Sequence, residues 1–298
     1  MDLDRDLISD LVRRALEEDL GAAGDVTSDA LVPAEDQAQA WVVARQRGVV
    51  AGLPVLEEVF RQAGASIRVR LLAGEGQAVE AGTRLAEVSG PARAVLTGER
   101  AALNFLQRMC GIATLTRRCV ENVRGYDVRI LDTRKTTPTL RALEKYAVRM
   151  GGGANHRMGL YDQVLIKDNH LRALLDQAGD LPAAVRLAVQ RARQAHGPDM
   201  RVEVEAESLP MVAAALEAGA DIIMLDNMTL SQMAQAAKLV REWRARLGAS
   251  KPVTEASGGV KPEKLAEIAA TGVDSISLGA LTHSAPVLDI ALDFERDE

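Results

Sequence analysis

The sequence has two cysteines, few lysines, no long apolar run and no excess of positive charge. Cys110 and Cys119 fall within what reads as one helix. Their nine-residue separation places them roughly 13 Å apart along the axis, too far for a disulfide. With no other cysteine, an internal disulfide framework is excluded, and a reducing cytoplasm is the expected location. No stretch approaches the roughly 18 apolar residues that a membrane span needs, so no membrane partner is expected. The opening MDLDRDLISD is acidic and amphipathic, unlike a secretory signal or an Arg-rich transit peptide. A formal net charge of -6 argues against general nucleic-acid binding and leaves room only for a local basic pocket. Seven of the 36 basic residues are lysine, so arginine is the default cation and each lysine is the more informative choice.

The 298 residues suffice for about two domains. A composition of 47% hydrophobic and 26% charged residues is that of a soluble globular protein and rules out global disorder. Residues 7–20 put Leu7, Leu11, Ala15 and Leu20 near one helix face. A turn-rich stretch, GAAGDVTSDALVP, follows. Next come β-like runs at 40–45, 66–72 and 84–90, with a helix around PVLEEVFRQAG ending at Gly64. The run SIRVRLL alternates apolar and charged residues, as a half-buried strand does. This part reads as a small α+β domain.

From Gly98 the pattern becomes a long helix, GERAALNFLQRMCGIATLTRRCVENV. A strand–helix rhythm follows, with apolar runs at 128–134, 163–168, 201–206, 221–226, 252–257 and 275–280. The intervening helices fall at 182–196, 209–218, 230–247 and 262–270. Gly219, Gly248 and Gly272 stand where helix C-terminal glycines belong. Alternating strands and helices imply a parallel sheet. Six strands favour a partial α/β barrel, with a doubly wound sheet as the alternative.

In such barrels reacting groups sit at the C-terminal ends of the strands. Those ends carry Arg134 and Lys135, then Lys167, Glu205, Asp226, Ser257 and Gly279. A single charged residue there is ordinarily a solvated loop position; the set points to a site. DTRKTTPTLR (132–141) interleaves three cations with threonine hydroxyls, a pattern suited to carboxylates or phosphates. MGGGANHRMGLYDQVLIKDNH (150–170) adds His156, Arg157, Lys167 and His170 after a glycine run suited to a mobile loop or to close approach of a ligand. No His/Cys set has metal-ligand spacing. Glu205 and Asp226 on adjacent strands suit sugar hydroxyls or Mg²⁺, or a pair of buried salt bridges. EASGGV (255–260) and SLGALTHS (277–284) are Gly/Ser loops on the last two strands, where barrels commonly bind phosphate. The residues together describe a barrel enzyme for a polyanionic substrate.

These motifs, with EEDLGAAGDVTSDAL, VEVEAES, IIMLDNM and the tail SLGALTHSAPVLDIALDF, resemble quinolinate phosphoribosyltransferases in order and spacing from residue 17 to near the C-terminus. The resemblance implies an α/β protein: an N-terminal α/β sandwich domain (1–116) packed on a C-terminal partial barrel (117–281), with a tail (282–298) returning to the first domain. It implies transfer of phosphoribosyl from phosphoribosyl pyrophosphate to the ring nitrogen of quinolinate with decarboxylation. The products are nicotinate mononucleotide, pyrophosphate and CO₂, in NAD biosynthesis, with Mg²⁺. It also implies at least a homodimer, in which the N-terminal domain of one subunit covers the barrel mouth of the other.

By position in the motifs, Arg134, His156, Arg157 and Lys167 would hold quinolinate, with Lys135 and Thr136 beside them and Arg100 supplied across the dimer. Lys135, Lys167, Glu205 and Asp226 form the implied catalytic set, Glu205 and Asp226 also serving ribose or the metal–pyrophosphate region. Ser257, Gly258, Gly259, Gly279 and Ala280 would cradle the 5′-phosphate, with His283 nearby. Two departures stand out: Thr139 where the family generally has Gly, and Met109–Cys110 for the more usual Leu–Ser. Cys110, mid-helix among apolar neighbours, reads as packing rather than a nucleophile. The competing readings are a nicotinate phosphoribosyltransferase or a molybdenum-transport-associated relative, a Schiff-base aldolase using Lys167, and a phosphometabolite-binding regulator without turnover. The density of cations favours a dicarboxylate over a monocarboxylate.

Overall fold

The computed structural model describes residues 3–295. Residues 1–2 of the expected first domain and 296–298 of the expected tail lie outside the described residues. The chain divides into two compact units, Met1–Arg117 with Thr136–Gly152 and Leu281–Glu298, and Arg118–Lys135 with Gly153–Ala280.

In the first unit, helix α1 (Arg5–Leu20) starts at Asp4, whose carboxylate accepts from the backbone of Asp6 and Leu7. It buries Ile8, Leu11, Val12 and Leu16. That stripe has helical spacing and replaces the expected face of Leu7, Leu11, Ala15 and Leu20, because Ile8 and Val12 bring more apolar area inward than Ala15 does. The turn-rich stretch contains a short helix, α2 (Val26–Leu31), capped by Asp25, which accepts from the backbone N–H and Oγ of Ser28. Strands β1 (Gln37–Ala44), β3 (Arg68–Leu71), β5 (Arg84–Pro91) and β12 (Ile290–Phe294) form an antiparallel sheet in the order β12-β1-β5-β3. Strands β2 (Gly48–Val49) and β4 (Ala78–Val79) pair separately, and α3 (Leu53–Ala63) precedes β3. The run SIRVRLL is an edge strand, with Arg68, Arg70 and Leu71 exposed rather than half buried. Its arginines suit a free edge, and Arg70 pairs with Glu87 of β5.

Helix α4 (Ala92–Asn122) begins six residues before the expected start at Gly98. Helix α5 (Arg141–Met150) buries Glu144, which accepts from Arg108 Nη2 at 2.8 Å, Thr137 N–H at 3.1 Å and Thr137 Oγ1 at 2.8 Å. A Cβ on Gly151 would lie 2.5 Å from the Ala113 carbonyl oxygen and 2.5 Å from Thr116 Cβ. At this residue the glycine run serves close packing against helix backbone, a role the sequence reading had not assigned. Thr139 sits at φ +68°. A β-branched residue in the left-handed region is strained by about 1–2 kcal/mol. Thr139→Gly is expected to raise the melting temperature by roughly 1–3 °C, since glycine relieves the strain while adding unfolded-chain entropy; a lowered melting temperature would contradict this.

The second unit holds six parallel strands, β6 (Arg129–Leu131), β7 (Val164–Ile166), β8 (Val202–Ala206), β9 (Ile222–Asp226), β10 (Val253–Ser257) and β11 (Ser275–Ser277). Their order is β6-β11-β10-β9-β8-β7, a partial barrel. Ala154 bridges Leu131 in parallel, donating to Ile130 O at 2.8 Å, and so covers the outer edge of β6. The helices between strands are α6 (Asp168–Arg172), α7 (Leu175–Ala178), α8 (Leu181–His196), α9 (Leu209–Ala218), α10 (Leu230–Leu247) and α11 (Leu265–Ala269), with α12 (Ala280–His283) after β11. Val202, Val204, Ile223, Leu225 and Ile276 alternate with the residues of the barrel interior and are buried. Each is worth about 1.5–3 kcal/mol of transfer free energy. The interior positions two apart carry the chemistry instead: Glu203 and Glu205, Met224 and Asp226, Glu255 and Ser257, Ser275 and Ser277.

Candidate active site

A cavity of about 440 Å³ opens at the C-terminal strand ends of the second unit. Four cations line it: Arg134 and Lys135 after β6, Arg157 in the segment before β7, and Lys167 after β7. Three carboxylates line it as well, Glu205, Asp226 and Glu255, together with His156, Gly258 and the hydroxyls of Thr133, Ser257 and Ser277. A wider concavity of about 760 Å³ in the first unit is lined by Gln37, Gln39, Ser66 and Ser89 with Arg68 and Asp36, and gathers no comparable set.

Lys167 Nζ stands 3.4 Å from Glu205 Oε1. Removal from water raises the pKa of Glu205, and Lys167 opposes that rise. Arg157 is buried and donates through Nη1 to Gln163 O at 3.1 Å. Burial, and then the charge of Arg134, lowers its pKa. Asp226 Oδ2 accepts from Asn227 Nδ2 at 2.9 Å, and Asn227 itself lies at φ +53°. Ser277 Oγ and Ser257 Oγ are 3.0 Å apart. Gly258 has φ +87°, and a Cβ there would fall 2.6 Å from Asp226 Oδ1 and 2.6 Å from Asn227 Oδ1. The β10 turn therefore brings bare backbone against the Asp226 carboxylate.

Beneath this rim lie His156, which the sequence reading named, and Glu203, Glu255, Gln163 and Asp132, which it did not. His156 Nδ1 accepts from the Arg157 N–H at 2.7 Å, and Nε2 lies 3.0 Å from Glu203 Oε2 and 3.6 Å from Glu255 Oε1. The Nδ1 acceptor role puts the ring proton on Nε2. The three side chains are close enough to share a cation, but that proton fills the position a metal would need. Gln163 Nε2 donates to Glu203 Oε2 at 2.5 Å. Asp132, also buried, accepts from the His156 N–H at 2.9 Å and from Asn155 Nδ2 at 2.5 Å. A signal for Glu203 and Glu255 was available: a carboxylate in the middle of an alternating buried strand faces the barrel interior, where apolar side chains are usual.

Of the other expected site residues, Gly259 (φ +60°) follows Gly258, Gly279 follows β11, and Ala280 opens α12. Arg100, Thr136 and His283 belong to the first unit. The Arg100 side chain is 62% exposed on α4. Thr136 Oγ1 accepts from Arg141 Nε at 3.0 Å. His283 Nδ1 lies 2.6 Å from Ser284 Oγ. Both cysteines are free and buried, and burial pushes the thiols of Cys110 and Cys119 up to about 12 and about 11. Neither is a poised nucleophile.

Residues 112–293 match the C-terminal domain of quinolinate phosphoribosyl transferase, and residues 25–110 match its N-terminal domain. The chain belongs to the quinolinate phosphoribosyltransferase family. It is 43% identical over 296 residues to the nicotinate-nucleotide pyrophosphorylase [carboxylating] of Mycobacterium leprae, covering 98% of this chain and 99% of that one. It is 43% identical over 276 residues to a probable enzyme of the same name from Bacillus subtilis, covering 93% of this chain and 89% of the relative. The crystal structure of NadC from Streptococcus pyogenes matches with a TM-score of 0.89 and 38% identity over 99% of this chain and 100% of that one. The partial barrel with its separate antiparallel sheet is thus the architecture of the quinolinate phosphoribosyltransferase family. Human nicotinic acid phosphoribosyltransferase shares the fold at 16% identity and a TM-score of 0.60, covering 94% of this chain and 73% of that one. Among the described residues no helix is long and apolar enough to cross a membrane.

Proposed function

We propose that the chain transfers phosphoribosyl from phosphoribosyl pyrophosphate to the ring nitrogen of quinolinate and removes a carboxylate. Nicotinate mononucleotide, pyrophosphate and CO₂ are then the products. The observation that carries this reading is the gathering of Arg134, Lys135, Arg157 and Lys167 in one cavity opposite Glu205 and Asp226, in a chain of this family.

Two carboxylates on one ring are matched by several cations, and guanidinium forks hold carboxylates bidentately. Held that way, the ring nitrogen faces the anomeric carbon of the ribose, and orientation does much of the catalysis. As pyrophosphate leaves, positive charge develops at that carbon and is stabilised by Glu205 and Asp226, which also suit the ribose hydroxyls. Lys135 and Lys167 keep the departing and bound anions neutralised. Ser257, Gly258, Gly259, Gly279 and Ala280 form the proposed cradle for the 5′-phosphate, supported by the positive φ of Gly258 and Gly259. His283 is proposed to act beside it, and Thr136 beside the quinolinate cations.

Glu205 and Asp226 also fit Mg²⁺. They are two oxygen donors on adjacent strands at an open rim, the small protein contribution this ion takes when substrate phosphates complete its shell. Bound there, the ion would neutralise charge on pyrophosphate. His156 is proposed to act from the floor of the pocket through its ring edge, since both of its nitrogens face protein partners. We place the protein in a reducing cytoplasm, with both cysteines free.

The proposed homodimer would supply Arg100 to the opposite subunit's quinolinate. Mixing inactive Arg100→Ala with inactive Lys167→Ala subunits is then expected to restore about a quarter to a half of the wild-type activity per dimer; verified mixed dimers without activity would refute the exchange. The substrate assignment is tested by calorimetry of quinolinate against nicotinate. One extra charged hydrogen-bonded carboxylate is worth about 1.5–3 kcal/mol, so quinolinate is expected to bind at least about tenfold tighter. Equal affinities would move the chain to the monocarboxylate activity.

A further inference from the structure

Barrel interiors are ordinarily filled by branched apolar side chains. Here the middle layer carries Glu203 and Glu255, which are 0% and 1% exposed. Glu203 Oε2 accepts from Gln163 and lies against His156 Nε2. Glu203 Oε1 and Glu255 Oε1 have no hydrogen-bond partner. His156 Nε2 stands nearer to Glu203, at 3.0 Å, than to Glu255, at 3.6 Å. The buried Arg157 guanidinium offsets the charge of Glu203, and of two adjacent buried carboxylates the one without such a cation takes up a proton. Burial and the nearby Glu203 charge push Glu255 far above the ordinary carboxylate range, with Asp132 adding to the rise while His156 and Ser277 oppose it. Glu255 is therefore a carboxylic acid at neutral pH, and it lines the substrate cavity.

The proposed reaction needs such a group. Once phosphoribosyl is on the ring nitrogen, the bond from the adjacent ring carbon to its carboxylate breaks and CO₂ leaves. The electron pair stays on that carbon beside the cationic nitrogen. The carbon must then take a proton. We infer that Glu255 is the acid that delivers this proton; the inference rests on the quinolinate reading above. The Glu255 O–H bond breaks, a C–H bond forms on the ring, and the carboxylate left behind recovers its proton from water after product release. The rim cations are a poorer source, since their charge is committed to the substrate's anions.

The test measures pyrophosphate and CO₂ separately. Wild type is expected to release them one to one. Glu255→Gln keeps the shape and loses the acid. It is expected to release pyrophosphate within about tenfold of the wild-type rate, to release CO₂ at less than a tenth of the pyrophosphate, and to accumulate the mononucleotide that retains both carboxylates. A folded Glu255→Gln enzyme that still releases the two products one to one would overturn the proposal. If its melting transition is lost, Glu255→Asp, whose acid is withdrawn by one methylene, carries the same test: a CO₂ shortfall of at least threefold supports the role and a one-to-one ratio refutes it. Wild type that releases neither product from quinolinate would instead sink the underlying substrate reading.

Discussion

Arg134→Ala is expected to lower kcat/KM for quinolinate by about two to three orders of magnitude while leaving the affinity for phosphoribosyl pyrophosphate within about threefold. Removing one member of a desolvated charge pair costs about 2–5 kcal/mol, and each 1.4 kcal/mol is a factor of ten. Arg134 lines the cavity at the end of β6, and its charge bears on Arg157. Its loss therefore removes one fork and changes the field at another. Calorimetry with each substrate separately checks the split. A variant that binds quinolinate as tightly as wild type would remove Arg134 from the site.

Gly258→Ala is expected to do its damage at the other substrate. The left-handed backbone at φ +87° costs alanine about 1–2 kcal/mol, so the fold survives with a modestly lower melting temperature. The new methyl group would sit 2.6 Å from Asp226 Oδ1 and 3.0 Å from the Asn227 backbone nitrogen, so the Asp226 carboxylate has to move. A displacement of about 1 Å at a reacting centre costs on the order of a hundredfold. Steady-state kinetics with phosphoribosyl pyrophosphate as the varied substrate is expected to show that loss. Wild-type kinetics would mean that the Gly258–Asp226 contact does not shape the site.

What could be read from the sequence follows from how local each signal is. The six barrel strands fall within the expected runs because short apolar segments between well-capped helices are local features; α10 is closed at Thr229 and Gly248 by such signals. The rim residues Arg134, Lys167, Glu205 and Asp226 were legible because a charge at the end of an apolar run is conspicuous. The first unit was harder. Its sheet is completed by β12, which pairs with β1 from the far end of the chain, and nothing local announces such a partner. The edge position of β3 depends likewise on which strands lie beside it. The α1 face differs from the expected one because Ile8 and Val12 carry more apolar area than Ala15. Glu203 lies mid-strand rather than at a strand end, and only the alternation in VEVEA places it on the same side as Glu205. The His156 tautomer depends on the Arg157 backbone and on two other strands, so only the assembled structure reveals it.

The most direct measurement is an end-point assay with quinolinate, phosphoribosyl pyrophosphate and Mg²⁺, run beside the same assay with nicotinate. The cavity of four cations over a buried acid layer predicts nicotinate mononucleotide, pyrophosphate and CO₂ in equal amounts from quinolinate, and no product from nicotinate. Product from nicotinate alone would contradict the account and assign these cations to a monocarboxylate.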